Sequence, residues 1–313
     1  MVEPVLTVTP NTALDRCLLV PDFAFGRTVV ATDSTLAMAG KPADMSLVLA
    51  ELGVPSLATG LMGGRTGALM VRMLEQAGVK TAFLRVPGRT RVNVGLIQEG
   101  AGLQGTVTVP SVRPGPEDGE RLLAQVESLL PGRRWLIVGG SLPDGVAPDL
   151  YQRMIEAGRR AGARVLLDAS GQTLLDALPA CPTIAKPNEV ELGAAVGQEL
   201  RSLDDVVTAA RSLCRQGVEV VVVTLGHQGS VCVSGDEAYL VPPVSVPVVN
   251  TAGAGDAFGA GMVKAFLEGG SVREALRWGT AAATAVLLTL GTAHCRREDV
   301  LRLLPQVHIE PLS

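Results

Sequence analysis

The segment NTAGAGDAFGAGM, residues 250–262, carries the residue types that phosphate chemistry requires. It follows a predicted strand and opens a predicted helix, so the backbone N–H groups of Gly253, Ala254 and Gly255 would meet an anion at the helix N-terminus. Asp256 stands in the first turn beside that anion, where a carboxylate is unfavourable unless it has a role. A general base that takes a proton from an attacking hydroxyl has such a role. The segment therefore predicts group transfer to a hydroxyl.

Two other interpretations of this segment are weaker. The dinucleotide-binding pattern GxGxxG is broken, because Phe258 stands where the third glycine belongs. A glycine-rich turn followed by an aspartate that caps the helix would explain the same residues without any function. Two other loops of the chain favour the functional interpretation.

These two loops also follow predicted strands. The segment VVVTLGHQGSV, residues 221–231, ends a continuous apolar strand and continues into a small-residue turn suited to polyphosphate. The segment KPNEVELG, residues 186–193, combines a lysine that can neutralise phosphate with an asparagine and a glutamate that can hold Mg²⁺ directly or through water. The residues concerned are Thr224, Gly226 and Gly229 in the first loop and Lys186, Asn188 and Glu191 in the second.

Strands and helices alternate through most of the chain. From residue 116 onward, helical patterns at 117–130, 148–161 and 204–216 alternate with apolar strand segments, and helical segments follow towards the end. This order predicts a mainly parallel sheet with helices on both faces. Ligands of such sheets bind at the carboxyl ends of the strands, so residues that follow predicted strands are the first candidates. They are Asn11, residues 139–141, Asp168, residues 186–188, residues 224–226 and residues 250–256.

Two stretches lack the helical pattern. Residues 12–35 and 81–109 contain short β segments separated by proline, glycine and arginine turns. We expect them to form a small β appendage on a single α/β domain, which would comprise residues 1–11, 36–80 and 110–313.

Composition excludes several classes of function. The 313-residue chain has a net charge of −4, a pI of about 5.5 and no basic patch, so nucleic acid is not an expected partner. Its five cysteines are widely spaced and its three histidines are scattered, which favours a reduced cytoplasmic protein without disulfides or a zinc site. We expect neither a signal peptide nor a membrane span. The lysines are Lys41, Lys80, Lys186 and Lys264, and their scarcity makes each ammonium group informative.

Six segments together resemble the PfkB family of carbohydrate kinases, which is related to ribokinase. TAGAGDAF, KPNEVEL and TLGHQG resemble the family's nucleotide motifs. TVTPNTALD, TRVN and GGSLPDG resemble the branch that contains 1-phosphofructokinase, tagatose-6-phosphate kinase and the minor 6-phosphofructokinase. The resemblance runs essentially from end to end. It implies a ribokinase-like three-layer α/β/α fold with a mainly parallel sheet, in which the β appendage is a small β-sheet lid over the sugar and pairs with a second lid in a homodimer.

The same resemblance implies an ATP- and Mg²⁺-dependent kinase of a phosphorylated ketohexose, with fructose 1-phosphate as the first candidate. Asp256 would be the catalytic base. The anion hole for the transferred phosphoryl group would be formed by Gly253, Ala254 and Gly255. ATP phosphates and Mg²⁺ would meet Lys186, Asn188 and Glu191, and the rest of the ATP site would be lined by Thr224, Gly226 and Gly229. The implied sugar contacts are Asp15, Gly40, Lys41, Asp44, Arg91, Asn93 and Ser141, with Arg91 facing the phosphate of the substrate.

The loop MAGKPADM, residues 38–45, departs most from the family pattern. The branch usually has GGKGxN where this chain has AGKPAD, so Gly40 and Lys41 remain, while Pro42 replaces a glycine and Asp44 replaces the asparagine. Pro42 removes a backbone N–H. Asp44 would add negative charge near a phosphorylated sugar, which weakens phosphate binding unless a cation compensates.

These departures leave other functions open. Tagatose 6-phosphate or fructose 6-phosphate could be the acceptor, and Pro42 and Asp44 favour an unphosphorylated sugar or a nucleoside. A non-catalytic sugar or nucleotide sensor would keep the fold without turnover, although a pure binder needs no base at residue 256. A Rossmann dehydrogenase is disfavoured by the broken glycine pattern. Asn250 and Ala252 stand where the family usually has Asp and Thr or Gly, which calls a nearby monovalent-cation site into question.

Overall fold

The computed structural model describes residues 2–99 and 103–312. Residues 1 and 313 of the predicted main domain and residues 100–102 of the predicted lid lie outside that description. The strands are β1 (Val5–Thr9), β2 (Ala13–Val20), β3 (Asp33–Ala39), β4 (Ser56–Met62), β5 (Lys80–Arg85), β6 (Arg91–Gln98), β7 (Gln104–Val107), β8 (Trp135–Gly139), β9 (Arg164–Asp168), β10 (Ile184–Ala185), β11 (Val220–Thr224), β12 (Ser230–Ser234), β13 (Glu237–Val241) and β14 (Glu310–Leu312).

The α-helices alternate with these strands along the chain. They are α1 (Lys41–Glu51), α2 (Gly64–Gln76), α3 (Pro116–Leu129), α4 (Leu150–Arg160), α5 (Gly171–Ala177), α6 (Glu189–Val196), α7 (Leu203–Arg215), α8 (Ala254–Leu267), α9 (Val272–Val286) and α10 (Arg297–Leu303). In the part of the chain that is described, none of them has the length and apolar character needed to cross a membrane.

One large sheet contains ten strands in the order β14-β13-β12-β11-β10-β9-β8-β1-β4-β5. The seven strands from β11 to β5 run parallel. Strands β12, β13 and β14 add an antiparallel edge. The predicted mainly parallel sheet is confirmed.

Helices cover both faces of this sheet and make three layers. Along β1, Leu6 faces a hydrophobic core shared with α3 to α7, whereas Val5 faces a second core shared with α1, α8, α9 and α10. Strand β11 likewise sends Val221 to the first core and Val222 to the second. Burial on both faces explains why its sequence is continuously apolar rather than alternating. The ribokinase-like α/β/α architecture expected from the sequence is confirmed.

The second sheet is the lid, four strands in the order β3-β2-β6-β7. Strand β2 is its centre, paired antiparallel with β3 and parallel with β6. Strand β2 begins only four residues after β1 ends, which places the lid beside the carboxyl ends of the parallel strands. The lid is therefore positioned to cover a ligand bound there.

The lid boundaries differ from those expected. The sequence assigns residues 81–109 to the lid, but β5 pairs in parallel with β4 at the edge of the large sheet. The apolar side chains of Ala82 and Leu84 pack against the main core, and this burial decides which sheet the strand joins. At the other boundary, β3 carries the lid to residue 39 rather than 35.

A strand expected at residues 244–250 is not formed. Pro242, Pro243 and Pro247 remove N–H donors from this stretch, so it cannot complete a ladder. Strand β14 instead pairs with β13, although its three residues carry too short a pattern to predict a strand.

Candidate active site

Helix α8 begins in the loop that carries the TAGAGD motif. Its N-cap, Gly253, has φ +82°, and a Cβ atom there would lie 2.2 Å from the backbone nitrogen of Ala293, so only glycine fits. Ala254 and Gly255 are the first two helical residues, whose N–H groups have no acceptor inside the helix. The N–H of Ala254 makes a long 3.3 Å hydrogen bond to the carbonyl oxygen of Thr251, so a phosphate would compete for it. This helix start is suited to an anion.

Asp256 is the third residue of α8, and only 8% of it is exposed. Burial raises the pKa of its carboxyl group and the charge of Asp168 raises it further, while Lys41 and Lys186 lower it, so that the pKa is about 7. A carboxyl group with a pKa near neutrality is partly ionised at neutral pH, and its carboxylate is more basic than an ordinary one, which suits it to accept a proton from a hydroxyl. Asp256 thus has the properties expected of a general base.

A carboxylate held between two lysines lies close to Asp256. Asp168 ends β9 and is fully buried, and its two oxygens lie 2.5 Å from Nζ of Lys41 and 3.0 Å from Nζ of Lys186. Burial would raise the pKa of Asp168, but the two lysines outweigh it and lower that pKa. Burial would also lower the pKa of Lys41, but Asp168 and Asp256 raise it, so Lys41 keeps its charge inside the site.

The sequence singled out Asp168 by position but assigned it no role. Its partner Lys41 lies 127 residues earlier, so no local motif joins the two. The one available signal was that Asp168 ends a predicted parallel strand. The folded chain places this one carboxylate between two ammonium groups, close to Asp256.

The two loops predicted to bind nucleotide lie against each other. Asn188 and Thr224 form a β-bridge, and the N–H of Thr224 donates to the carbonyl oxygen of Pro187 at 3.1 Å. Lys186 is buried, and its Nζ lies 3.2 Å from the place where a Cβ atom of Gly255 would stand. The ammonium group and the N-terminus of α8 therefore flank the same position.

A cavity of about 430 Å³ opens beside that position. Gly226 and Gly229 line it from the turn after β11, and a Cβ atom at Gly229 would lie 2.1 Å from the carbonyl oxygen of Val241. Apolar residues of α8 and α9 form another part of its wall, among them Phe258, Ala283 and Leu287. An apolar slot that leads to a helix N-terminus fits a planar base joined to phosphates. The residues present are therefore compatible with ATP.

Asn188 and Glu191 form a capping box at the start of α6. Oδ1 of Asn188 accepts the N–H of Glu191 at 2.8 Å, and Oε2 of Glu191 accepts the N–H of Asn188 at 2.8 Å. Among the residues that are described, no group of three or more His, Cys, Asp or Glu side chains is arranged to hold a metal ion. Mg²⁺ usually takes one or two carboxylates and completes its shell with phosphate oxygens and water. The assignment of this pair to Mg²⁺ stays a prediction.

Asp15 is held from two sides where the lid meets the main domain. Its Oδ1 accepts from Nδ2 of Asn93 at 2.8 Å, and its Oδ2 accepts from Oγ1 of Thr292 at 2.6 Å. Asp15 and Asn93 are also direct partners in the β2–β6 ladder. Each carboxylate oxygen has a second lone pair, so the fixed group can still accept hydrogen bonds from sugar hydroxyls. Thr292 lies 277 residues from Asp15, and nothing in the sequence pattern indicated it.

The loop with the least family-like sequence begins α1. Gly40 is the N-cap and Pro42 the second helical residue, where a missing N–H leaves every helical hydrogen bond intact. Met45 of α1 packs against Gly259 of α8, so the two helices start side by side. Lys41, the first residue of α1, thereby lies beside Asp168, on the side of the site that is predicted to bind phosphate. Pro42 thus removes no hydrogen bond from the helix.

The charge expected at Asp44 is disfavoured by its surroundings. Asp44 is 1% exposed, burial raises the pKa of its carboxyl group well above the usual range, and Asp256 and Asp15 raise it further. A protonated carboxyl group at this position would offer one donor and one acceptor, as an asparagine amide does. Within residues 2–99 and 103–312, Oδ1 of Asp44 has no hydrogen-bond partner. A sugar hydroxyl would supply one.

Arg91 and Ser141 lie at the outer side of the sugar site. Arg91 stands two residues before Asn93 on β6, so both side chains point to the same face of the lid. Arg91 and Asn11 line a cavity of about 530 Å³, and Nδ2 of Asn11 donates to Oγ of Ser141 at 3.0 Å. Arg91 and Asn93 are therefore neighbours on the lid, and Ser141 is linked to the cavity of Arg91 through Asn11.

Asn250 closes the loop in front of α8. Its Nδ2 donates to the carbonyl oxygen of Gly291 at 2.8 Å, and its Oδ1 accepts the N–H of Ala252 at 3.0 Å. Both ends of the amide are therefore used, one within this loop and one by the segment that follows α9. Because Oδ1 of Asn250 already accepts an N–H, it is a poorer ligand for a monovalent cation.

Comparison with known proteins identifies relatives of the whole chain. The profile of the pfkB family carbohydrate kinases matches residues 11–299. A 1-phosphofructokinase from Rhodobacter capsulatus is 38% identical over 291 residues, which cover 92% of this chain and 91% of the relative. The crystal structure of phosphofructokinase-2 from Escherichia coli in complex with potassium has 30% identity and a TM-score of 0.89, covering 98% of this chain and 99% of the other. The tetrameric inhibited form of that enzyme gives a TM-score of 0.88 at 30% identity, with 98% and 99% covered.

Proposed function

This chain belongs to the pfkB family of carbohydrate kinases, and we propose that it transfers a phosphoryl group from ATP to a hydroxyl of fructose 1-phosphate. Membership makes it an ATP-dependent sugar kinase, and the relative named 1-phosphofructokinase supports the choice of sugar. The observation that carries the proposal is the buried Asp256, with a pKa of about 7, beside the start of α8 on one side and near the sugar-side carboxylate Asp15 on the other.

The residues around Asp256 would each have a separate role in phosphoryl transfer. Bound ATP would supply the electrophilic phosphorus and leave as ADP. Asp256 would take the proton of the sugar hydroxyl as the new oxygen–phosphorus bond forms. Lys186 and the N–H groups at the start of α8 would offset the charge on the transferred phosphoryl group. Glu191 and Asn188 would contribute oxygens to Mg²⁺ beside the phosphates.

The lid would exclude water during the transfer. The side chain of Gln104, on β7, hydrogen-bonds to Thr251 in the loop before α8, so the lid touches the phosphoryl-transfer loop directly. Exclusion of water limits wasteful hydrolysis of ATP and strengthens charge interactions inside the site. Asp15, Asn93 and Asp44 would meanwhile orient the sugar.

We expect kcat/KM for the sugar to rise about tenfold per pH unit below pH 7 and to level off above it. Only the ionised form of Asp256 accepts a proton, and its pKa is about 7 in the free protein. Initial rates of ADP release, measured at low sugar concentration from about pH 5.5 to about pH 8.5, provide the profile. A flat profile over this range would contradict the assignment of the base.

The substrate is tested by ADP release with Mg²⁺ and ATP against a panel. The panel contains fructose 1-phosphate, fructose 6-phosphate, tagatose 6-phosphate, fructose, ribose and adenosine. Highest kcat/KM for fructose 1-phosphate supports the proposal, and preference for another ketohexose phosphate moves it to that sugar. Turnover confined to fructose, ribose or adenosine would overturn it. Binding without turnover of any of the six would indicate a sensor.

We also propose a homodimer through the lid. Phe25 and Val30, in the loop between β2 and β3, are 96% and 80% exposed, and Val107 on β7 is 59% exposed. Such apolar side chains on one appendage favour burial against a second copy. Analytical ultracentrifugation at micromolar concentration should show a dimer, or a tetramer such as the one formed by the Escherichia coli relative. A monomer would refute the proposal.

A further inference from the structure

The cavity beside the lid has more positive charge than the family resemblance accounts for. It has a volume of about 530 Å³ and lies between the start of β6, the connector that precedes α3 and the loop after β8. Its charged lining residues are Arg91, Arg113 and Asp144, and Asn11 and Ser111 add polar groups. Two guanidinium groups against one carboxylate leave a net positive lining, which suits an anionic ligand.

Arg91 is placed in a way that calls for an anion. It is half-buried, and burial lowers its pKa although Asp15 raises it. Its Nε is shielded from solvent and has no hydrogen-bond partner anywhere in residues 2–99 and 103–312. A buried donor of a charged group that lacks an acceptor is costly, so such groups usually mark a binding site.

Arg113 faces the same cavity from a rigid connector. Its N–H donates to the carbonyl oxygen of Pro87 at 2.9 Å, and Oγ of Ser111 donates to the carbonyl oxygen of Thr12 at 3.3 Å. The flanking residue Val112 is buried, whereas Arg113 is exposed. The connector is thus hydrogen-bonded to the loop between β5 and β6 and to the loop between β1 and β2. These bonds hold the backbone of Arg113 in place beside the cavity.

Within residues 2–99 and 103–312 neither arginine forms an ion pair, although the charge of Asp15 raises the pKa of Arg91. In the described part of the chain, eight other arginines lie within ion-pair distance of a carboxylate, but Arg91 and Arg113 do not. A guanidinium without a carboxylate partner is free to bind phosphate bidentately. Two such groups that line one cavity fit a single phosphate dianion better than two unrelated surface charges.

The place of the cavity matches the geometry of a sugar phosphate. Residues two apart on a strand lie roughly 7 Å apart, so Arg91 stands about that far from Asn93, which holds the sugar-side carboxylate Asp15. A hexose ring separates its C1 and C6 substituents by a similar length. A sugar whose hydroxyls meet Asp15 would therefore extend its own phosphate towards Arg91.

We propose that Arg113 is a second phosphate-binding residue, which together with Arg91 holds the phosphate group that the sugar already carries. The pair would select phosphorylated ketohexoses over neutral sugars. This inference rests on the proposed function, since it assigns a subsite to the same substrate. The position of Arg113 in the sequence supports this proposal. It lies in the Pro- and Gly-rich connector SVRPGP, where no helix or strand requires a charged residue.

The test compares Arg113→Ala with Arg91→Ala and with the matched control Arg85→Ala, an exposed arginine on β5 that does not line the cavity. For Arg113→Ala we expect KM for fructose 1-phosphate to rise about 10- to 100-fold, because a charged hydrogen-bonding partner of the phosphate is lost. KM for ATP and kcat/KM for neutral fructose should stay unchanged, and Arg113→Lys should restore part of the affinity.

A binding measurement separates this inference from the proposed function. Calorimetry with fructose 1-phosphate and with inorganic phosphate needs no turnover, and both should bind wild-type protein more tightly than the Arg113→Ala variant. Equal affinities for Arg113→Ala and Arg85→Ala would overturn the inference, as would a wild-type protein that binds neither probe. Wild-type protein that binds fructose 1-phosphate through Arg113 without phosphorylating it would contradict the proposed function alone.

Discussion

Replacing Asp256 by asparagine is expected to lower kcat by roughly 10³-fold or more, while the affinity for ATP stays within a small factor of wild type. The amide keeps the size of the side chain and removes the basic oxygen, so the sugar hydroxyl loses its proton acceptor. The nucleotide contacts are made by Lys186, the turn after β11 and the start of α8, which the substitution leaves in place. Steady-state ADP release gives kcat, and calorimetric titration with ATP gives the affinity.

A measurement of thermal stability shows whether Asp256→Asn has lost only its catalytic base or has lost its fold. The pKa of Asp256 is about 7 against an ordinary value of 3.8, so this group stabilises the folded state below about pH 4, and the contribution is lost as pH rises through 7. At pH 8 the wild type therefore contains a buried carboxylate that the variant lacks. Asp256→Asn should unfold at the same or a higher temperature there. The control is Asp204→Asn, an exposed aspartate in the first turn of α7, for which we expect normal kcat. A near-normal rate in Asp256→Asn would refute the general-base role.

Asp168→Asn is expected to have the largest effect on stability, about 3 kcal/mol of unfolding free energy. The fully buried carboxylate neutralises Lys41 and Lys186, whose Nζ atoms lie 2.5 and 3.0 Å away. Its removal leaves two neighbouring ammonium groups with no counter-charge in direct contact, since Asp256 acts on them only as a nearby charge. Urea unfolding at pH 7 measures the loss. Glu219→Gln is the matched control, because it breaks an exposed ion pair with Arg164 and should change stability very little.

Asp168→Asn should also shift the pH profile of kcat/KM. The negative charge of Asp168 raises the pKa of Asp256, so without it that pKa falls and the acid limb of kcat/KM shifts to lower pH. A substitution that only loosened the structure would lower the rate at every pH without moving the limb. An Asp168→Asn enzyme with unchanged stability and an unmoved limb would show that the two lysines do not depend on this carboxylate.

Local patterns predicted the parts of this protein that local forces determine. The bounds expected for α3, α4 and α7 fall within one or two residues of those observed, because caps and apolar periodicity act within a few turns. The loops at Lys186 and Thr224 were found because each follows a strand, and the loop at Gly253 because its small residues open a helix. The first two converge because parallel strands bring their carboxyl ends to one edge.

The features that sequence could not predict depend on distant parts of the chain. Strand β5 joined the large sheet because Ala82 and Leu84 meet the main core, which no strand pattern encodes. The pKa of Asp44 is raised by burial and by Asp256, which is more than 200 residues away. Thr292 reaches Asp15 and Arg113 reaches the cavity of Arg91 only after the lid has folded onto the main domain. In each of these cases the environment, rather than the residue type, decides the property.

The uneven distribution of lysines has a practical consequence for attaching the protein to a surface. Amine-directed reagents need an accessible, unprotonated amine, and Asp168 keeps Lys41 and Lys186 engaged while Glu268 engages the buried Lys264. Lys80 also pairs with a carboxylate, that of Glu3, but 68% of its side chain is exposed. It is the first residue of β5, at the end of the sheet opposite the strand termini that form the site. Mild coupling through amines should therefore favour Lys80 among the lysines, leaving the lid towards solvent. An immobilised layer of this kind would present its molecules in one main orientation, with the pockets open to flowing ligand.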